Sequence, residues 1–239
     1  MQCVILAGGL ATRMRPLTEK IPKTLLPAGD HPFAHYQLDW LSKHGVTDVV
    51  FSIGYKGALV KDYVQSGARW GLTVTYVDEG ENLRGTGGAL RLCLDQGALA
   101  PEFLITYGDS FLPIDFSEVW RSFLSSGAPA LMTVLENDGK WDQSNACYSN
   151  GRVALYDKRN DLPNRPADMR YIDYGLLALK RFVVENEVPP NQKHDLAAVF
   201  SKLSTQGNLA GFEVKTRFYE IGSPSGLEDF KSYVAGRRD

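Results

Sequence analysis

Over its first 135 residues the chain alternates short apolar runs with helix-length amphipathic segments, and this alternation restricts it to one class of fold. Cys3–Leu6 and Val49–Ile53 read as buried strands, Leu72–Val77 as an alternating strand, and Phe103–Tyr107 and Ala130–Leu135 as further strands. Between them, Pro32 to Lys43 reads as a helix with apolar spacing at Phe33, Tyr36, Trp40 and Leu41 and Gly45 as its stop. A second helix carries Leu59, Val60, Tyr63 and Val64, a third covers Gly88–Asp95, and a fourth covers Phe116–Ser125. Repetition of this kind predicts an α/β fold with a doubly wound, mostly parallel sheet. Its loops gather at the strand C-termini, where such sheets bind ligands.

Beyond that point the rhythm changes. Residues 137–175 are rich in Asn, Asp, Gly and Pro, with a hairpin turn expected at Ser149-Asn150-Gly151-Arg152. Tyr171–Leu179 resumes as a strand, and helices are expected over 194–204 and from Pro224 to Gly236, the latter opening on a Ser225/Glu228 capping box. At 239 residues and 44% hydrophobic content, the chain can fill one core, so a single domain over 1–239 is expected.

Composition removes several partners. A formal charge of -2 without a basic run argues against nucleic acid. No apolar stretch approaches the ~20 residues of a membrane span. The N-terminus lacks a basic n-region, and Val4-Ile5-Leu6 is too short for a signal peptide. Cys3, Cys93 and Cys147, widely spaced and odd in number, suit reduced thiols and a cytoplasmic setting. Among the four histidines, His31 and His35 stand four apart but lack a third ligand, so any metal here should be a hard ion held by oxygen.

The first strand runs into Leu6-Ala7-Gly8-Gly9-Leu10-Ala11-Thr12-Arg13-Met14-Arg15-Pro16-Leu17, and Lys23 follows within Ile21-Pro22-Lys23-Thr24-Leu25-Leu26-Pro27. Glycines bring backbone amides close to an anion. Arg13 can then grip phosphate oxygens bidentately, while Lys23 acts as a mobile point charge. Neither G-x-x-x-x-G-K-[ST] nor G-x-G-x-x-G occurs, so this is neither a Walker A nor a dinucleotide loop.

The run resembles the L-A-G-G-x-G-T-R-[LM]-x-P-L-T … P-K-x-L-[LV]-P opening of the sugar-phosphate nucleotidylyltransferases, or nucleotide-sugar pyrophosphorylases. The one departure is Ala11, where that family usually has Gly. An L-residue there must take an ordinary φ or accept strain. The segment from Glu79 to Leu90, with three glycines in four residues expected to expose amides at a helix start, resembles the family's E-x-x-L-G-T-[AG]-G nucleobase segment. Glu81, acceptor-only when ionised, suits the N1–H and N2 amine of guanine, which favours GTP over UTP. Gly108-Asp109, ending an apolar strand, resembles the family's Gly-Asp, whose carboxylate ligates Mg²⁺. Phe218 to Pro224 resembles [WF]-x-D-[IV]-G-[TS]-P, with Glu220 at the position of the second Mg²⁺ ligand, usually Asp. No D-x-D is present, which argues against a glycosyltransferase of similar architecture.

On the acceptor side, Asn145, Tyr156-Asp157-Lys158 and Ile172-Asp173-Tyr174-Gly175 fall where the family has an Asn or Gly contact, an E-K pair and an N-[AGT]-G motif. The resemblance covers Cys3 to Pro224. It implies a Rossmann-like mixed sheet of the nucleotide-diphospho-sugar transferase type, with a nucleotide-binding half of about 1–135 and a sugar-phosphate-binding half of about 136–239. The implied reaction joins an NTP to a sugar 1-phosphate, giving an NDP-sugar and pyrophosphate, with Mg²⁺ as cofactor. Arg13 and Lys23 would be catalytic, and Leu6, Ala7, Gly8, Gly9, Thr12, Arg13, Glu81, Gly85, Thr86 and Gly87 would hold the nucleotide. Gly108, Asn145, Lys158, Asp173 and Gly175 would hold the acceptor, Lys158 at its phosphate and Asp173 and Gly175 at sugar hydroxyls.

Short bacterial heptose or mannose 1-phosphate guanylyltransferases are nearest in look, and short uridylyltransferases come next. After Pro224 only one helix is expected, with neither a left-handed β-helix domain nor a long regulatory extension. Two alternatives stand beside this reading: a cytidylyltransferase for a non-sugar phosphate, and a non-catalytic nucleotide-sugar-binding paralogue that Ala11 and Glu220 would permit. The sequence leaves open the base, the sugar and the choice between monomer and homo-oligomer.

Overall fold

The computed structural model describes residues 1–137, 139–159 and 165–237. In chain order it runs β1 (Gln2–Leu6), β2 (Pro27–Ala28), β3 (His31–Pro32), α1 (Phe33–Lys43), β4 (Asp48–Ile53), α2 (Gly57–Val64), β5 (Thr73–Asp78), α3 (Gly85–Asp95) and β6 (Glu102–Tyr107). Next come β7 (Ser110–Phe111), α4 (Phe116–Ser126), β8 (Ala130–Glu136), β9 (Ala146–Ser149), β10 (Arg152–Tyr156) and β11 (Tyr171–Lys180). The remainder is α5 (Arg181–Glu187), α6 (Leu196–Thr205), β12 (Leu209–Val214), β13 (Tyr219–Glu220) and α7 (Pro224–Ala235).

One sheet carries both halves of the chain, in the order β5-β4-β1-β6-β11-β8-β12-β10-β9. Strands β5, β4, β1 and β6 are mutually parallel, as the alternation predicts. Strand β11 then runs antiparallel to both β6 and β8, while β12 is parallel to β8. The sheet is therefore mixed beyond β6, with β11 as the seam.

Both faces are covered. In β1, Val4 and Leu6 join the apolar cluster on one face, and Cys3 and Ile5 join the cluster on the other. A third cluster of Met14, Leu26, Phe33, Phe111, Ile221 and Phe230 anchors the long segment after β1 against α1 and α7. That cluster fixes the loop that the sequence assigns to phosphate.

Several local readings change. Pro32 caps α1 in extended backbone rather than starting it. The third strand begins at Thr73 and reaches Asp78, and α3 begins at Gly85, three residues early, because the glycine-rich segment is itself helical. Helix α7 is capped by Ser223, whose Oγ accepts from the Gly226 N–H, and not by the Ser225/Glu228 box. At the 149–152 hairpin, Asn150 and Gly151 have φ 49° and 75°, as a two-residue type I′ turn requires. The sequence reading passed over α5 and β12. Strand β12 contains Gly211, where a Cβ would meet the Tyr148 ring at 2.6 Å, so the residue that weakens the strand signal is required by packing. The 137–175 segment lies outside the described residues at 138 and 160–164.

Candidate active site

Leu6 and Tyr107 are register partners at the C-terminal ends of β1 and β6, and the chain leaves both strands towards the same cleft. The Gly108 N–H donates to the Leu6 carbonyl at 2.9 Å, tying the two loops together. A Cβ on Gly108 would lie 2.6 Å from the Ala7 Cβ and 3.1 Å from Thr24 Oγ1, so the crossing admits only glycine without displacement. The cleft holds about 220 Å³. Leu6, Ala7, Gly8, Gly9 and Lys23 line one side, Gly85 and Thr86 the other, and Gly108 and Asp109 the end. The structure thus brings together nine of the residues singled out from sequence.

The charged groups converge from distant elements. Lys23 Nζ donates to Asp109 Oδ2 at 2.5 Å. Strand β13 pairs with β7 so that Glu220 faces Ser110, and the Ile221 N–H donates to the Asp109 carbonyl at 2.9 Å. Two carboxylate-bearing residues are therefore placed side by side by a short antiparallel ribbon. Desolvation in this crowded corner, and then the Asp109 charge, push the Glu220 carboxyl above its usual range, although the residue keeps solvent access. Arg13, exposed in the turn Thr12–Met14, reaches the same corner. A Cβ on Gly222 would lie 3.9 Å from Arg13 Nη2 and 4.0 Å from Asp109 Oδ2.

Ala11 takes φ 50° and ψ 39°, the left-handed conformation. Of the two outcomes open to an L-residue here, the chain adopts the strained one. The carbonyl is put to use, accepting from the Met14 N–H at 3.1 Å and from Thr18 Oγ1 at 2.9 Å.

Glu81 is exposed on the loop after β5 and does not line the cleft. Glu79, to which sequence reasoning gave no role, does line it. Its Oε2 accepts from the Arg84 N–H at 2.9 Å, and a Cβ on Gly8 would collide with its Oε1. Burial pushes its carboxyl above the usual range, against the lowering effect of the Arg84 N–H. Its position directly after β5, at the sheet's C-terminal edge, was the available signal. Thr24, Leu83, Ala89 and Tyr107 also line the cleft and were passed over.

The 85–88 glycines behave differently from expectation. The N–H groups of Gly87 and Gly88 donate to the His194 carbonyl at 2.9 and 3.2 Å, so those amides are spent within the fold. A Cβ on Gly85 would lie 2.6 Å from the same oxygen. Thr86 Oγ1 donates to Asp195 Oδ1 at 3.0 Å and accepts from the Leu196 N–H at 2.9 Å, joining the starts of α3 and α6. Close approach of residues 192–196 is the reason for glycine here.

On the acceptor side, Asn145 Oδ1 accepts from the Asp173 N–H at 2.9 Å. Asp173, its side chain 4% exposed, accepts from Tyr156 OH at 3.1 Å and the Gly175 N–H at 3.0 Å, with Lys158 Nζ at 3.4 Å. Gly175 has φ 104° within an irregularity of β11 between Asp173 and Leu177 that turns this group out of the ladder. The Asp173 charge holds the Lys158 ammonium above its usual range. Asp157 pairs with Arg159 at 2.6 Å, so Asp173 is the carboxylate beside Lys158. Burial pushes the Tyr107 phenol well up, reinforced by Asp173, Asp195, Asp109 and Glu220.

Among the described residues no group of three or more His, Cys, Asp or Glu side chains gathers as a metal cage, and no helix is long and apolar enough to cross a membrane.

A family model described as nucleotidyl transferase matches residues 2–234. The D-glycero-alpha-D-manno-heptose 1-phosphate guanylyltransferase of Campylobacter jejuni is 35% identical over 119 residues, 50% of this chain and 52% of that protein. The mannose-1-phosphate guanyltransferase of Debaryomyces hansenii is 28% identical over 236 residues, 97% of this chain and 63% of that protein. The chain spans about half to two thirds of the length of these curated relatives. The crystal structure of HddC from Yersinia pseudotuberculosis matches with a TM-score of 0.77 at 21% identity, covering 98% of this chain and 99% of that one, a likeness of fold. Since the family model spans almost every element described above, the chain belongs to the nucleotidyl transferase family.

Proposed function

We propose that this chain transfers a nucleotidyl group from an NTP, with GTP preferred to UTP, to a sugar 1-phosphate and releases pyrophosphate. The observation that carries the reading is the convergence of Lys23, Asp109, Glu220 and Arg13 at one end of the glycine-lined cleft. An oxygen of the acceptor phosphate attacks the α-phosphorus. The bond from that phosphorus to the bridging oxygen of the β-phosphate breaks, and pyrophosphate leaves in line. No general base is needed, because a phosphomonoester with a second pKa of ~6 is already largely dianionic near neutral pH. The chain's task is positioning and charge neutralisation.

Gly8, Gly9, Arg13 and Lys23 hold the departing pyrophosphate in this reading. Leu6, Ala7, Gly85 and Thr86 shape the nucleoside end of the same cleft, with Gly87 and Thr12 supporting it. Glu79, rather than Glu81, meets the N1–H and N2 amine of guanine, because Glu79 lines the cleft beside Gly8 and Glu81 does not line it. Lys158, held by Asp173, meets the acceptor phosphate, while Asn145, Gly108 and Gly175 shape the sugar's place.

Asp109 and Glu220 fit Mg²⁺. Both donors are oxygen, as a hard cation requires, and the β7–β13 pairing brings the two residues to the same end of the cleft. When bound, the ion would supply charge neutralisation at the transferring phosphoryl group. The curated guanylyltransferases support the choice of GTP and of a manno-configured sugar 1-phosphate. The test is pyrophosphate release from GTP, UTP, dTTP, CTP and ATP, each against a panel of sugar 1-phosphates. Release is expected with GTP and a manno-configured acceptor. Nucleotide-sugar binding with no release from any pair would overturn the reading.

A further inference from the structure

Gln37 lies on α1, is 4% exposed, and does not line the cleft. Its Nε2 donates to two backbone carbonyls, Tyr107 O and Ser110 O, each at 2.8 Å. Both neighbours are acceptors only, so the orientation of the amide is fixed by the network. The other end of the same amide, Oε1, is buried with no hydrogen-bond partner. An unsatisfied buried acceptor lowers stability, so a glutamine is a poor choice for packing alone at this position.

The two carbonyls bracket Gly108-Asp109. Other contacts hold that turn from the remaining sides: Gly108 donates to Leu6, and the Asp109 carbonyl accepts from Ile221. Gly108 has no room for a side chain, given Ala7 and Thr24. The Gln37 amide adds two side-chain hydrogen bonds to the backbone on either side of Gly108-Asp109, from helix α1.

We infer that Gln37 is a positioning residue: its carboxamide locks the Tyr107–Ser110 turn and so sets the direction in which Asp109 meets Lys23 and the cleft. The effect on geometry stands independently of the reaction, while its kinetic consequence rests on the functional reading above. Gln37→Met keeps the side chain's length, removes both donors and also removes the unpartnered acceptor. Gln37→Asn keeps the amide but withdraws it by one methylene, and it serves if the methionine variant folds poorly.

The test combines amide hydrogen exchange of the ligand-free protein with steady-state kinetics. In either variant, exchange over residues 104–111 should quicken by about 10-fold or more, while β4 and β5 keep their protection. Turnover should fall by roughly 10²-fold, since small misplacement of a reacting group has effects of that size. KM for the sugar phosphate should stay within about twofold. Unchanged exchange over 104–111, or protection lost evenly across the sheet, would overturn the inference. If the unmodified protein releases no pyrophosphate with any substrate pair, the functional reading falls and the exchange measurement alone decides for or against Gln37.

Discussion

The Lys23 ammonium and an Asp109 carboxylate oxygen stand 2.5 Å apart, joined across 86 positions of sequence. A cation suited to pyrophosphate and a carboxylate suited to a metal ion thus neutralise one another in the ligand-free cleft. Arrival of an anionic nucleotide with its cation would let each exchange this partner for a ligand of the same sign.

Lys23→Ala and Asp109→Ala should each lower turnover by about 10²–10³-fold, the size seen when one transition-state charge contact is lost. Melting temperature should change little, since a partly exposed pair contributes only about 1 kcal/mol or less. Near-normal pyrophosphate release by either variant would remove both residues from the mechanism.

Ala11→Gly should stabilise the protein. The left-handed conformation costs an alanine about 1–2 kcal/mol, and the extra freedom of glycine in the unfolded chain returns part of that. A net gain of up to about 1 kcal/mol corresponds to a rise of roughly 2–4 °C in Tm for a chain of this size. A fall in Tm would show that Ala11 is not under strain.

Glu79→Gln should change both base preference and pH dependence. Losing a charged acceptor should lower kcat/KM with GTP by about 10–100-fold, from the 1.5–3 kcal/mol of a charged hydrogen bond, and affect UTP less. Because burial raises the folded-state pKa of Glu79, the folded protein holds this proton more tightly than the unfolded chain. Stability should therefore decline as pH rises from the ordinary carboxylate range through the raised value, and the glutamine variant should lack that part of the slope. Denaturant titrations at several pH values check this; identical slopes would refute it.

Thr86→Val should destabilise by about 1–2 kcal/mol, because it strips a hydrogen bond from the first turn of α6 and leaves Asp195 with one donor fewer. KM for the nucleotide should barely move, since the hydroxyl is already engaged within the fold. A large rise in KM at unchanged Tm would mean that Thr86 acts on the nucleotide directly.

Much of the candidate site's layout was legible because it is local. The glycines after β1, Gly108-Asp109 after β6, and the I′ turn at Asn150-Gly151 are each set by backbone preferences within a few residues. Glu79 and Glu81 differ by two positions and carry the same charge, so no local rule separates them; the path of the loop after β5 does. The amides of Gly87 and Gly88 read as a ligand cradle until the His194 carbonyl, more than a hundred positions away, is seen to accept from both, while Gly85 lines the cleft. Asp157 stands next to Lys158 in sequence yet pairs with Arg159, leaving Lys158 to Asp173.

By itself, the sequence determined the α/β alternation, the glycine loop after β1 and the kinds of charged groups available, because these follow from periodicity, glycine freedom and side-chain chemistry. Only the tertiary structure decided the partners. With β11 threaded between β6 and β8, and β13 laid against β7, it settled that Lys23 meets Asp109, that Glu220 lies beside them, and that Gln37 holds their turn. Each of those contacts closes a long loop, and its energy depends on what else has been buried or neutralised nearby, which no stretch of sequence specifies alone.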